Sequence, residues 1–149
     1  MRSDREGCPA AAALEVIGER WSLLVLRELF YGVHRFDRIV ERTGAPRNIL
    51  STRLRHLEDE GVLERRRYQE APARYEYHLT EAGKTLLPVV LALMAWGNEH
   101  LVREPKLMHH TCGSDLRAVT VCADCGEQPH AEDVTAPGSS PPERGTMPG

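Results

Sequence analysis

The sequence predicts a mainly α-helical chain with one small β-hairpin, an α+β fold, on three observations. Apolar residues recur at helical spacing through most of residues 9–60, and glycines at 18, 44 and 61 interrupt that pattern. Two short alternating stretches follow, VLERRRY at 62–68 and RYEYHLT at 74–80. An apolar helix, a turn, an arginine-studded helix, a second turn, then PRNILSTRLRHLEDEG and a hairpin is the order of a winged helix-turn-helix.

Each element has its own reason. Pro9 suits the first turn of a helix through Val16 and Ile17, which Gly18 closes. WSLLVLRELFYG (21–32) is apolar on nearly every side apart from Arg27 and Glu28, so it belongs in the core. Phe36, Ile39 and Val40 define the inner face of a helix that Gly44 ends. Leu50, Leu54 and Leu57 then repeat at i, i+4, i+7 and must face inward. At about 100° per residue, Asn48, Thr52, Arg55 and Asp59 are left pointing away from the core, with Arg47, Ser51 and His56 on the flanks. Arg53 borders the inward stripe and stays open between bracing the helix and reaching a ligand. Pro46 pre-organises the first turn, where free amides can meet a phosphate. The hairpin across QEAPA carries Arg65, Arg66, Arg67 and Arg74 near its exposed end.

Charge supports a polyanionic partner only locally. The net charge is −3, but residues 1–103 hold 16 Lys+Arg against 15 Asp+Glu, whereas 104–149 hold 3 against 7. Within 35–55 six arginines face two acids, a local excess of +4 where a double-stranded DNA contact would need it. Arg47, Asn48, Ser51, Thr52 and Arg55 are therefore the expected groove residues, and Arg35, Arg65, Arg66 and Arg67 the expected phosphate contacts. No segment reaches the roughly 18 apolar residues of a membrane span, and the start MRSDREGCPA lacks the apolar run of a signal peptide, so a soluble cytoplasmic protein is expected. His34, His56, His78 and His100 are scattered without a nucleophile or carboxylate pair beside them, which argues against an enzyme.

Three regions are expected: a DNA-binding and dimerisation domain over 7–103, a cysteine-bearing segment over 104–130, and a disordered tail over 131–149 rich in Pro, Gly and Ser. In the second, Cys122-x-x-Cys125-Gly126 and His109-x-x-Cys112-Gly113 share spacing and a trailing glycine. His109, Cys112, Cys122 and Cys125 are thus candidate ligands of a structural zinc ion in a small ribbon, with His110 as a substitute for His109. The competing reading is a thiol pair that is redox-active or idle. No cofactor is required for DNA binding.

The residues also resemble a known family. Cys8-Pro9, the I-G-x-x-W step (Ile17, Gly18, Trp21), L-R-E-L (26–29), R-F (Arg35, Phe36), L-x-x-R-L-R-x-L-E (50–58), G-V-L-E-R (61–65) and Y-x-L-T-x-x-G (77–83) are similar to the HxlR-type winged helix-turn-helix regulators, relatives of the MarR group, over about residues 7–101. The resemblance implies a homodimeric DNA-binding repressor or activator; the long C-terminal extension departs from it. It also implies redox or electrophile sensing at Cys8, since some relatives use a cysteine at this opening. Arg5 and the helix start would favour the thiolate, and the competing reading is a small buried apolar residue.

Dimerisation has a physical basis of its own. Thr80 can cap a helix to about His100, in which Leu86, Val90, Leu93, Met94, Trp96 and Leu101 exceed what a lone winged helix can bury; Pro88 should kink it or shift its start. A two-fold dimer would set its recognition helices about 34 Å apart, matching a pseudo-palindromic operator. The alternative from another functional class is a winged-helix protein-interaction module without specific DNA binding.

Overall fold

The computed structural model describes residues 7–140, so Arg5 and positions 141–149 of the expected tail lie outside the described residues. The chain divides into two compact units, the first ending at Leu116 and the second starting at Arg117. Every helix and strand that bears on the candidate interface belongs to the first.

That unit runs α1 (Pro9–Ile17), α2 (Arg20–Phe30), α3 (Phe36–Thr43), α4 (Arg47–Asp59), β1 (Leu63–Gln69), β2 (Arg74–Leu79), α5 (Glu81–Lys84) and α6 (Leu87–His100). Capping explains several boundaries. The Glu19 carboxylate accepts from the amides of Trp21 at 2.8 Å and Ser22 at 3.3 Å, so an acid fills the N-cap of α2 and opposes its dipole. Gly44 stops α3 in the left-handed region at φ 73°, donating its amide to Val40 O at 2.9 Å. Thr80 Oγ1 accepts from the Gly83 amide at 3.1 Å and donates to Gly61 O at 2.6 Å, tying the start of α5 to the turn after α4. A Cβ on Gly83 would sit 2.0 Å from Val62 O, which accounts for the T-x-x-G spacing.

Val25, Leu26 and Leu29 of α2 form the centre, meeting Ile39 of α3, Leu50, Leu54 and Leu57 of α4, Leu63 of β1 and Val90 of α6. Each such side chain contributes roughly 1.5–3 kcal/mol by leaving water. Glu28, one of the two polar exceptions in α2, lies fully buried with the core. Its carboxylate is held by Arg27 Nη2 at 2.8 Å and by Arg42 Nε of α3, so two guanidiniums neutralise it and join the helices.

The hairpin is antiparallel, pairing Leu63 with Leu79 and Arg65 with Tyr77, with a bulge between Arg67 and Gln69. β2 is flanked on its other side as well. Arg35 bridges Glu76, and the Tyr77 amide donates to His34 O at 2.8 Å, so the loop before α3 extends the sheet.

The single helix expected from Thr80 to His100 is two. Pro88 lacks the amide that an uninterrupted helix would use, and it sits instead in the first turn of α6. The expected apolar stripe divides likewise. Val90 is buried, with Leu86 and Met94 packed against the core, while Val89, Leu93 and Trp96 stay exposed on α6 and Leu101 is exposed just beyond it.

In the second unit, the turn at 122–127 is closed by Cys122 N–H to Glu127 O and Gly126 N–H to Cys122 O, both at 2.8 Å. Ala131–Asp133 forms one 3-10 turn. Among the described residues after β2 there is no strand, and in the first unit His109 and Asp115 form an isolated antiparallel bridge.

Candidate nucleic-acid interface

Packing of Leu50, Leu54 and Leu57 at 1% exposure or less orients α4. Once those three leucines point inward, the rotation of the helix is set. Arg47, Asn48, Ser51, Thr52 and Arg55 consequently all lie exposed, and Arg53 is half-buried at the edge of the core face. Thr52 Oγ1 donates back to Asn48 O at 3.0 Å, leaving its methyl and lone pairs outward. His56 Nε2 lies 3.1 Å from Glu15 O, so this flank braces α1.

Sequence reasoning overlooked Ile49. It is 37% exposed in the first turn of α4, next to Asn48, and offers an apolar surface of the kind that meets a thymine methyl. Its position between the leucine stripe and the polar face was the available signal.

Several of the arginines expected at the groove or at phosphates rest against acids. Arg47 Nη2 is 2.8 Å from Asp37 and its guanidinium stacks 5.0 Å from the Phe36 ring centre. Arg65 pairs with Glu58 at 3.1 Å, and Arg66 grips Glu64 with two nitrogens at 2.9 and 2.7 Å. Such exposed pairs are worth about 0–1 kcal/mol, so a phosphate can displace the carboxylate at little cost.

Arg67 instead donates to Tyr75 Oη at 3.2 Å, which, with its charge, holds that phenol below its usual value. Arg35 stacks over Tyr68 at 4.6 Å and sits 3.7 Å from Glu76. Glu76 also faces His78 Nε2 at 3.1 Å; that hydrogen bond, reinforced by the charges of His78 and Arg35, lowers its pKa. The His34 and His78 rings stack with centres 4.0 Å apart, and His34 Nδ1 reaches Tyr77 O at 2.8 Å. A packed polar hinge thus fixes the base of the wing beside the start of α3. Tyr68 and Tyr75, which carry arginines on their rings, were also missed from the sequence.

The cysteines sit elsewhere. Cys8 is exposed at the N-cap of α1. In the first unit His109 Nδ1 pairs with Asp115 at 3.0 Å, and the Cys112 amide donates to His110 Nδ1 at 3.3 Å. In the second, the amides of Cys125 and Asp124, then the Cys125 thiol, donate to the Cys122 sulfur and lower its pKa. Among the described residues no group of three or more His, Cys, Asp or Glu side chains is arranged to hold a metal ion.

Against known proteins, residues 16–105 match the HxlR-like helix-turn-helix family. The chain belongs to that family. This HxlR-like chain is 46% identical over 134 residues to the uncharacterized HTH-type transcriptional regulator Rv3095 of Mycobacterium tuberculosis, covering 87% of itself and 85% of the relative. The crystal structure of PA1607 superposes with a TM-score of 0.79 at 31% identity, over 93% of this chain and 100% of that one. The oxidized form of the redox regulator HypR matches at a TM-score of 0.59 and 32% identity, over 64% of this chain and 99% of its own. The HxlR-like chain is therefore a transcriptional regulator of the helix-turn-helix type and not an enzyme. No helix among the described residues is long and apolar enough to cross a membrane.

Proposed function

We propose that this regulator is a cytoplasmic homodimer that reads a pseudo-palindromic operator with α4 in the major groove and the wing on the backbone. The observation that carries the reading is the exposure of Asn48, Ser51, Thr52 and Arg55 on the face of α4 opposite three buried leucines. Groove residues discriminate bases and phosphate contacts do not. Replacing Arg55 with Ala should cost about 1–3 kcal/mol and relax preference at one base position, whereas Arg66→Ala should weaken all sequences alike. Mobility shifts on an operator and its single-base variants measure both, and uniform loss from Arg55→Ala would contradict the division. Affinity should also fall with salt by about 0.9 log units per phosphate contact per decade. Flat salt dependence would favour a protein-interaction module instead.

Pairing is assigned to Val89, Leu93 and Trp96, which recur at i, i+4, i+7 on the exposed side of α6. Leu93→Glu should yield a monomer by sedimentation and lower operator affinity.

Two cysteine readings complete the proposal. Cys8 serves as an oxidant- or electrophile-sensitive thiol, supported by its exposure and by likeness to a redox regulator; Cys8→Ser should keep DNA affinity in reductant and lose any response to diamide. Cys122 and Cys125 supply thiolates to a soft divalent ion, supported by their C-x-x-C spacing in a turn that the Gly126 amide closes on Cys122 O at 2.8 Å. Metal analysis of the purified chain and of Cys122→Ser tests this.

A further inference from the structure

One cleft in the first unit is neither part of the α4 face nor of the exposed stripe on α6. It has a volume of about 500 Å³, inside the range of small-molecule sites. Three helices build it. α2 contributes Arg27 and Glu28 with its C-cap Tyr31, α3 contributes Arg42, and α6 contributes Met94, with Lys106 on the rim.

Its chemistry is two-sided. Glu28 lies at the base with its side chain 1% exposed and fully engaged by Arg27 and Arg42. Arg42 spends its Nε on that carboxylate, yet its side chain is 41% exposed and lines the cleft. The Arg27 and Arg42 guanidiniums each stand 5.9 Å from the centre of the Tyr31 ring, whose hydroxyl meets Met94 Sδ at 3.9 Å. Asn98 exchanges two hydrogen bonds with the backbone of Lys106, at 2.9 and 3.0 Å, which fastens the segment after α6 beside the opening. The Lys106 ammonium is 3.8 Å from exposed Glu104. The lining holds three cations and one carboxylate, which Arg27 and Arg42 already satisfy, next to the apolar surfaces of Tyr31, Met94 and Val102.

A ligand complementary to this arrangement has an apolar body and a single anionic group. We propose that the cleft between α2, α3 and α6 binds a small carboxylic acid as an effector, its body against Tyr31 and Met94 and its carboxylate toward Arg42 and Lys106. The position supplies the regulation. α3 precedes the groove-facing helix and α6 carries the exposed apolar stripe, so an occupant touching both shifts their relative tilt. This role rests on the DNA-binding reading; occupancy of the cleft does not.

The test titrates the full-length protein with cyclohexanecarboxylate, benzoate and, as an uncharged control, cyclohexylmethanol, using calorimetry and thermal shift. Both acids should bind saturably, and the alcohol about tenfold or more weaker, as expected for loss of a charge-assisted contact. Lys106→Glu alters an exposed rim residue, and Met94→Trp fills the cleft; each should weaken the acids by about tenfold or more, with circular dichroism confirming the fold. Equal binding of acid and alcohol, no saturable binding of either acid, or indifference to both variants would overturn the site. Saturating acid should also change operator affinity in a mobility shift. Binding without that change overturns the effector role, whereas an acid-free protein that ignores all DNA breaks the regulator reading while the titration still judges the cleft.

Discussion

The first unit and the second differ in what holds them. From α1 to α6 a continuous set of buried side chains locks helix orientations, whereas every described residue from Arg117 onward is exposed and the local order comes from turn hydrogen bonds. The difference teaches where geometry can be precise. A helix face can be aimed only where leucines behind it exclude water, while a short turn can aim amides at a sulfur with no core at all.

The comparison can be broken most severely at α4. Leu54→Ala should cost about 2–5 kcal/mol of unfolding free energy in urea, because the cavity lies between α2 and α4; a loss under 1 kcal/mol would mean that the leucine stripe does not set the helix. Gly83→Ala should follow with about 1–3 kcal/mol, since the new methyl meets Val62 O and the backbone must shift. The second unit should respond otherwise. Cys122→Ser should change the unfolding free energy, read from the helical signal in urea, by no more than about 0.5 kcal/mol. The same thiol should nonetheless be alkylated by iodoacetamide without denaturant, and its rate should rise at lower pH than that of a free cysteine peptide. The sign follows from the amides of Cys125 and Asp124, which favour the thiolate and so lower the pH at which it forms. An ordinary thiol profile would contradict that turn. The smallest effect belongs to Arg66→Ala, within about 0.5 kcal/mol of stability despite its expected cost in DNA affinity, because its bond to Glu64 is solvent-exposed.

Much of the first unit was legible because its signals are periodic. Leu50, Leu54 and Leu57 announce an inner face, the polar residues between them follow by rotation, and the glycines and Pro46 mark the ends. What escaped was whatever depends on non-local partners. Glu28 looked like a polar exception in an apolar helix, yet it is buried because Arg42, fourteen residues away, closes over it. The sheet contact of His34 and Arg35 with β2, and the stack of His34 on His78, have no local pattern to read. The arginines were legible as cations, and Glu58 as an acid able to neutralise one of them, but the pairs of Arg47 with Asp37 and of Arg66 with Glu64 were not.

By itself, then, the chain of residues determined the order of elements through the hairpin, the ends of the helices before it and the outward face of α4, since spacing at 3.6 residues per turn and backbone preferences are local properties. Only the tertiary structure decided which apolar residues of α6 are spent on its own core and which stay exposed, and that an ion triad joins α2 to α3 beneath a cleft. Those outcomes depend on which surfaces meet in space, and burial, charge neutralisation and cavity shape exist only once they have met.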